Sequence, residues 1–219
     1  MIRKALRLGF TVFGYEADGN GSVREKGQAR NIFRILKKDP KAKMLLYCGF
    51  DHVREGKVHQ WGKAMAGELR TLTGIDPFTI DQVVLSEHSQ PGYESSDYHP
   101  ELIQTSSILL TSKGQAKPNQ MNGTDIRILH PRTTFTAGRP SWLLRGGLWK
   151  AVSLQDLSYQ VSFPCLVSAY FSNEENGVPV DLIELRYAGE KSLVLPPGLF
   201  RLELMDHAGK VQTETIEVK

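Results

Sequence analysis

The stretch LLYCGFDH, residues 45–52, sets the architecture of the first half of the chain. Leu45 to Cys48 is an apolar run suited to a buried strand, and Gly49 follows it directly. A residue without a Cβ lets the chain leave a strand sharply, which would place His52 over the strand's end. The stretch therefore predicts a strand that delivers a histidine to a site.

Two further strands are predicted on either side of this one, at FTVFGY (10–15) and FTIDQVVLSE (78–87). Helical patterns separate the three strands. Alternation of strand and helix implies parallel pairing with right-handed crossovers. We therefore expect a partial α/β domain with a mostly parallel, three-layer sheet.

The two intervening helices carry their own boundary signals. Ser22 and Glu25 form the S-x-x-E pattern of a capping box, and Pro40 ends the helix that follows. The second helix is predicted from an apolar periodicity running from Trp61 to Leu72. Gly74 is its expected C-terminal stop.

The pattern of residue types changes beyond residue 90. QAKPNQMNG (115–123) is rich in turn residues and predicts a linker, and short strands with turn signals follow it to the end of the chain. Such spacing is typical of an antiparallel, immunoglobulin-like sandwich. The sequence thus predicts two domains, an α/β domain with its linker at 1–123 and a β-sandwich at 124–219.

Composition excludes several classes of protein. Lys and Arg number 27 against 24 Asp and Glu, and a net charge of +3 without a basic run does not favour nucleic-acid binding. No apolar stretch is long enough for a membrane span. Arg7 interrupts the apolar run at the start, so no signal peptide is predicted. A cytoplasmic protein is the default expectation, or an exported one if a preceding region exists. Cys48 and Cys165 are expected to be buried free thiols.

Polar, ionisable residues follow the three predicted strands. Glu16 follows the first strand, Asp51 and His52 the second, and Glu87 with His88 the third. Ligands bind beyond the carboxyl ends of strands in an open parallel sheet, so these side chains would share one edge. A histidine beside carboxylates suits general-base catalysis or metal binding.

Each of these residues also has a purely structural interpretation. Glu16 and Asp18 fit a turn in EADGNGS, and Glu25 already has a role in the capping box. His52 could simply bond to the backbone at a strand end, and Arg24 could solvate the helix start. The remaining histidines at 59, 99, 130 and 207 lack an acidic partner at a useful spacing and are expected at the surface.

Three segments together resemble a known group of proteins. REKGQARNI (24–32), CGFDHV (48–53) and WGKAMAGELRTLTGIDPFTIDQV (61–83) are similar in order and spacing to the erythromycin esterase, ChaN and TIKI-like superfamily. Its members often pair an R-E-x-x-x-A-x-N helix with a strand that ends in G-x-x-H. The resemblance covers roughly residues 5–90.

The resemblance implies a hydrolase-like site. Its members hydrolyse an ester or lactone, cleave peptides with a metal, or bind haem. By this likeness, the catalytic residues would be His52, Glu25, Glu16 and Arg24. A divalent metal is a candidate cofactor, with His52 and Glu16 as its candidate ligands. The substrate would be a small molecule or a peptide, and water would be activated by histidine or by metal.

One element of the superfamily's pattern is missing. A first G-E-x-H-type motif is expected before this region, and residues 1–44 contain none. We therefore expect a missing N-terminal half or a partner chain that supplies the rest. Two alternatives to hydrolysis stay open: a non-catalytic module that binds a glycan, a haem-like ligand or a protein, and a structural role with a vestigial cleft.

Overall fold

A computed structural model describes residues 2–58, 61–110, 113–115, 123–175 and 177–219. Its helices and its several sheets make this a mixed α/β protein. Contacts divide the chain into two compact units, Met1–Arg132 and Thr133–Lys219. In the described part of the chain, none of the helices has the length and apolar character needed to cross a membrane.

Among the described residues, the N-terminal unit holds three α-helices and five short strands. The helices are α1 (Ile2–Arg7), α2 (Gly21–Lys38) and α3 (Met65–Thr73), and the strands are β1 (Lys57–Val58), β2 (Gly62–Lys63), β3 (Ile80–Asp81), β4 (Ser107–Ile108) and β5 (Ile126–Leu129). Turns of 3-10 helix lie at Phe50–Val53, Pro91–Tyr93 and Pro100–Leu102.

The core that supports the candidate site lies between α2 and α3. Ala29 and Ile32 on α2 pack with Met65 and Leu69 on α3, and all four side chains are buried. The helices form because these residues recur at helical spacing on one face. As the sequence predicts, α3 ends at Gly74, whose φ of +71° suits a residue without a Cβ.

Two of the three predicted strands are not found among the described residues. Residues 10–15 and 43–48 are assigned to neither a helix nor a strand. In the second segment, Leu46 and Cys48 pack against the core of α2 and α3, whereas Leu45 and Tyr47 are 77% and 69% exposed. The apolar run that predicted a strand is therefore half-buried in an alternating pattern, but a strand also needs a hydrogen-bonded neighbour.

The third predicted strand is much shorter than expected. Only Ile80–Asp81 is a strand, and Asp81 ends it because its carboxylate accepts the backbone amides of Val83 and Val84, at 2.9 and 3.1 Å. This strand pairs in parallel with β5, which pairs antiparallel with β4. The predicted three-stranded parallel sheet is thus replaced by a mixed sheet of order β3-β5-β4.

The capping box predicted at the start of α2 is also absent. The helix begins at Gly21, and its N-cap, Asn20, makes no side-chain hydrogen bond. Glu25 is 2% exposed and directs its carboxylate to His52 and Met65 instead. A buried carboxylate with two distant partners outweighs the local pattern because burial makes each of its hydrogen bonds matter more.

The C-terminal unit is built of antiparallel strands. They are β6 (Phe135–Thr136), β7 (Arg139–Pro140), β8 (Lys150–Val152), β9 (Cys165–Phe171), β10 (Asp181–Leu185), β11 (Leu193–Leu195), β12 (Gly198–Asp206) and β13 (Val211–Val218), with a 3-10 segment at Ser141–Gly147. The main sheet has the order β10-β9-β12-β13, and β8 pairs with β11. Alternate residues of β9 and β12 share one core with Leu193 and Leu195 of β11.

The division between the units falls after Arg132, whereas the sequence pattern placed it after residue 123. The difference arises because β5 pairs with β3 and β4 in the N-terminal unit. Most of the predicted linker, together with His59, lies outside the described residues.

Candidate active site

His52 and Glu25 form a hydrogen-bonded pair. His52 lies in the 3-10 turn that follows Gly49, and its Nδ1 is 2.8 Å from both carboxylate oxygens of Glu25. The Glu25 side chain is 3% exposed and that of His52 18%. With Glu25 ionised, Nδ1 carries the proton, and this N–H donates a hydrogen bond to the carboxylate. Nε2 is then the ring nitrogen that can accept a proton.

Glu25 is held in place by a second donor. The backbone amide of Met65, the first residue of α3, donates to its Oε2 at 2.6 Å. The N-cap of α3 is Ala64, which has no side-chain acceptor, so Glu25 supplies from α2 the acceptor that α3 lacks. A negative charge is also favourable at a helix N-terminus. The carboxylate that orients His52 is therefore fixed by the start of another helix.

A cavity of about 330 Å³ opens beside this pair. Its walls include Arg24, Glu25, Gly49, Asp51, His52 and Trp61. The rings of His52 and Trp61 lie 6.1 Å apart at a tilt of 54°. One wall is therefore aromatic, and charges of both signs lie around the imidazole.

Gly49 leaves room beside the imidazole. A Cβ built on Gly49 would lie 3.4 Å from Cδ2 of His52 and 4.0 Å from Nε2. The backbone there has a φ of −65°, which any residue can adopt. Neither the backbone conformation nor the available space therefore requires glycine here, and a Cβ would simply contact the imidazole at ordinary distances.

Glu16 and Arg24 form a two-pronged ion pair near this cavity. Nε and Nη2 of Arg24 donate to Oε1 and Oε2 of Glu16 at 3.0 and 2.7 Å. Gln28 and the backbone amide of Ala17 also donate to Oε1, at 2.8 and 2.9 Å. These bonds, led by that from Arg24, lower the pKa of Glu16 to about 2. The Glu16 carboxylate positions Arg24, and the side chain of Asn31 donates to its backbone carbonyl oxygen.

The four residues that the sequence predicted as catalytic therefore form two adjacent pairs. His52 pairs with Glu25, and Arg24 pairs with Glu16. Arg24 and Glu25 are neighbours on α2, and both line the cavity. Asp51, which also follows the predicted strand, lines the cavity and lies 3.2 Å from Nε of Arg54.

The described residues do not fit a divalent metal. Glu16 is already held by Arg24 and Gln28, and His52, whose Nδ1 is held by Glu25, could offer an ion only Nε2. In the ranges that the structure describes, no three His, Cys, Asp or Glu side chains are grouped closely enough to hold an ion. A metal site normally needs three or more such ligands. We therefore derive no step through a metal.

Tyr15 and Cys48 lie near the buried side of Glu25. The hydroxyl of Tyr15 donates to the carbonyl oxygen of Tyr47 at 2.7 Å, and burial raises the pKa of Tyr15 to about 12. Burial, followed by the charge of Glu25, also raises the pKa of the Cys48 thiol. Cys48 is thus no thiolate nucleophile, because activation of a thiol requires a lowered pKa.

Other residues considered for the site lie elsewhere. Glu87 is 3.8 Å from Arg132, and His88 lines a second cavity. His99 does have an acidic neighbour, contrary to expectation, because its Nδ1 lies 3.2 Å from Oε1 of Glu101. Both side chains are more than half exposed, so this pair lies at the surface, outside the cavity.

Trp61 and the Met65 amide were missed as members of the site. The periodicity placed Trp61 inside the second helix, whereas the helix starts at Met65. No residue at 61–64 is a strong N-cap, and the cap comes instead from Glu25, which is distant in sequence. The sequence contains one signal of this arrangement. The helical pattern lacks a residue suited to be its N-cap, which indicates an acceptor from elsewhere in the chain.

Comparison with protein-family models, with curated proteins and with solved structures gave no match. The likeness to the erythromycin esterase, ChaN and TIKI-like superfamily therefore rests on the sequence segments alone.

Proposed function

We propose that the cavity beside His52 hydrolyses an ester or lactone, with His52 as the general base. The observation that carries this proposal is the bond from Nδ1 of His52 to the buried carboxylate of Glu25. It fixes the imidazole in one tautomer and orientation, as a general base requires. It also stabilises the imidazolium that forms when Nε2 takes a proton.

In this mechanism, water attacks the substrate carbonyl directly. Nε2 of His52 takes one proton from the water as its oxygen bonds to the carbonyl carbon, and a tetrahedral oxyanion forms. When the oxyanion collapses, the bond to the leaving alkoxide breaks and the imidazolium returns the proton to that alkoxide. The products are a carboxylic acid and an alcohol, and His52 is neutral again.

Arg24 is the group suited to stabilise the oxyanion. It lines the cavity, and Glu16 fixes its guanidinium through Nε and Nη2. A preorganised cation stabilises developing negative charge without reorganising during the reaction. Glu16 is then a positioning residue, and Arg24 and His52 are the groups that touch the substrate.

An ester or lactone suits these residues better than a peptide. An alkoxide leaves with less assistance than an amine, and the described residues do not supply a metal site to activate a peptide carbonyl. The aromatic ring of Trp61 offers an apolar wall for the acyl or alcohol part of a small substrate.

The test is hydrolysis of a panel of p-nitrophenyl esters and lactones by the wild-type protein and by His52→Gln. We expect kcat/KM to fall by about a hundredfold or more, as for loss of a general base. The melting temperature should change little, because the glutamine amide can still donate to Glu25. His99→Gln is the matched control, since it alters an exposed histidine that also pairs with a carboxylate.

Two outcomes would count against hydrolysis. If His52→Gln keeps wild-type rates, the imidazole is not the base. If the wild-type protein cleaves no member of the panel but a ligand still perturbs Trp61 fluorescence, the cavity belongs to a non-catalytic binding module, such as one for a glycan or a haem-like ligand.

We also propose membership of the erythromycin esterase, ChaN and TIKI-like superfamily for the N-terminal unit and an immunoglobulin-like sandwich for the C-terminal unit. The first is supported by the R-E pair at 24–25 and by His52 after Gly49. The second is supported by the shared core of β9, β12 and β11. A partner chain would suit the exposed apolar side chains before Gly49, such as Leu45 and Tyr47.

A further inference from the structure

A second cavity lies in the N-terminal unit, at the end of the turn that carries His52. Its volume is about 260 Å³, and its walls include Arg54, Asp81, Val83, Val84, His88 and Tyr93. Asp51 of the same turn lines the first cavity, and its Oδ1 lies 3.2 Å from Nε of Arg54. One ion pair therefore connects a wall residue of the first cavity to a wall residue of the second.

The second cavity offers unused hydrogen-bond donors. Nε of Arg54 faces Asp51, but its two terminal nitrogens make no hydrogen bond among the described residues. The imidazole of His88 likewise makes no hydrogen bond there, although, after Arg132, both the backbone amide and the charge of His88 help to lower the pKa of Glu94. The carboxylate of Glu94 is already paired with Arg132, whose Nη1 and Nη2 donate to its two oxygens at 2.8 Å each. These donors suit a carboxylate, which a guanidinium binds in a planar, two-pronged geometry.

The same cavity offers acceptors for a cation. Asp81 is 7% exposed, and its Oδ1 is fixed by the amides of Val83 and Val84. Its second oxygen makes no hydrogen bond in the described ranges, nor does the hydroxyl of Tyr93. Arg127 is paired with Asp81 in the parallel register, but its guanidinium donates to Asp97 at 2.9 Å. A carboxylate held in this way suits an ammonium group.

The remaining wall is apolar. Val83 is 40% exposed, and Val84 beside it is half-buried. A carboxylate site, an ammonium site and an apolar wall within about 260 Å³ match one class of molecule. We propose that this cavity binds a free α-amino acid with an apolar side chain, with its carboxylate on Arg54 and His88 and its ammonium on Asp81. This proposal does not depend on hydrolysis at His52.

The proposal can be tested by NMR. The full chain is titrated with a ligand while the ring resonances of its histidines are followed. The His88→Gln variant assigns the His88 signal by removing it. With L-leucine as the probe, the His88 signal should shift and saturate. Acetate carries only the carboxylate and methylammonium only the cation, so each should bind about tenfold more weakly or worse.

Variants separate this cavity from the first one. Arg54→Gln should weaken L-leucine binding about tenfold or more, and Tyr93→Phe, at an exposed hydroxyl, should weaken it less. Arg24→Gln, in the other cavity, is the matched control and should leave the affinity unchanged.

Three results would overturn the proposal. Acetate binding as tightly as L-leucine would make this a simple anion site. A saturable shift at His52 in place of His88 would put the ligand in the first cavity. A His88 signal that stays fixed at all concentrations of L-leucine would mean that no amino acid binds there.

Discussion

The carboxylate of Glu25 accepts a hydrogen bond of 2.6 Å from the backbone amide of Met65, which joins the second turn of α2 to the start of α3. The same carboxylate holds the imidazole of His52. One buried side chain therefore serves two functions, because it caps α3 and orients the proposed general base. We expect stability to depend on the acceptor oxygens of Glu25 and activity to depend on its charge.

Substitutions of Glu25 separate these two properties. Glu25→Gln keeps an acceptor for Met65 but loses the charge, so activity should fall by about tenfold to a thousandfold with a small loss of stability. Glu25→Ala removes the cap and leaves His52 without a partner, and the free energy of unfolding should drop by about 2–4 kcal/mol. Urea unfolding and ester hydrolysis measure the two effects. Equal destabilisation by both variants would show that the charge, not the acceptor, holds α3.

The ion pair of Glu16 and Arg24 should give a pH dependence on the acid side. The pKa of Glu16 is lowered from 4.5 to about 2, mainly by the hydrogen bond from Arg24. A carboxylate with a lowered folded-state pKa stabilises the fold above its unfolded pKa, and the contribution disappears as the pH falls through the folded value. The difference in melting temperature between wild type and Glu16→Gln should thus be constant above pH 4.5 and shrink between pH 4.5 and 2.

Asp18→Asn is the matched control for Glu16→Gln, because it removes a charge from the same exposed loop without touching Arg24. Comparison of the two variants isolates the ion pair from the general effect of net charge. A wild-type advantage that persists unchanged at pH 2 would contradict the role given to the carboxylate of Glu16.

Gly49→Ala tests the space beside Nε2 of His52. Because the added Cβ would lie at ordinary contact distances of 3.4 and 4.0 Å from the ring, the fold should be retained, with stability within about 0.5 kcal/mol of wild type. The methyl group would occupy the side from which water reaches Nε2, so kcat/KM should fall by about tenfold to a hundredfold. Unfolding and kinetic assays on the same preparation show whether only activity changes.

Gly14→Ala is the matched control for this experiment. A Cβ on Gly14 would have no neighbour within 4 Å, so neither stability nor activity should change appreciably. Wild-type kinetics in Gly49→Ala would mean that substrate and water approach His52 from another side.

The sequence predicts local features well. The course of α2 and the C-cap at Gly74 follow from residues that are close together in the chain. Strand pairing is not local. Residues 10–15 and 43–48 are runs of β-forming and apolar residues, but whether a sheet forms depends on neighbours that such a run does not specify.

The candidate site was predicted as a set of residues but not as a set of contacts. Glu25 was selected both as part of the R-E pair and as part of a capping box with Ser22, and only the structure shows that it caps α3 instead. Glu16 was expected as an acid or a metal ligand, and the two-pronged bond from Arg24 makes it a positioning group. Such pairings depend on which side chains share a buried space, and spacing along the chain does not give that.

Gly67→Ala tests the packing that holds α3 against the segment after His52. A Cβ on Gly67 would lie 2.4 Å from the backbone carbonyl oxygen of Glu55, which cannot move as a side chain can. Alanine favours the helix by about 1 kcal/mol, but overpacking against backbone costs about 1–3 kcal/mol, so the overlap should prevail. We expect a lower melting temperature and a lower kcat, because the shift reaches the turn that carries His52. Gly14→Ala again serves as the control, and a more stable Gly67→Ala would show that helix propensity outweighs this contact.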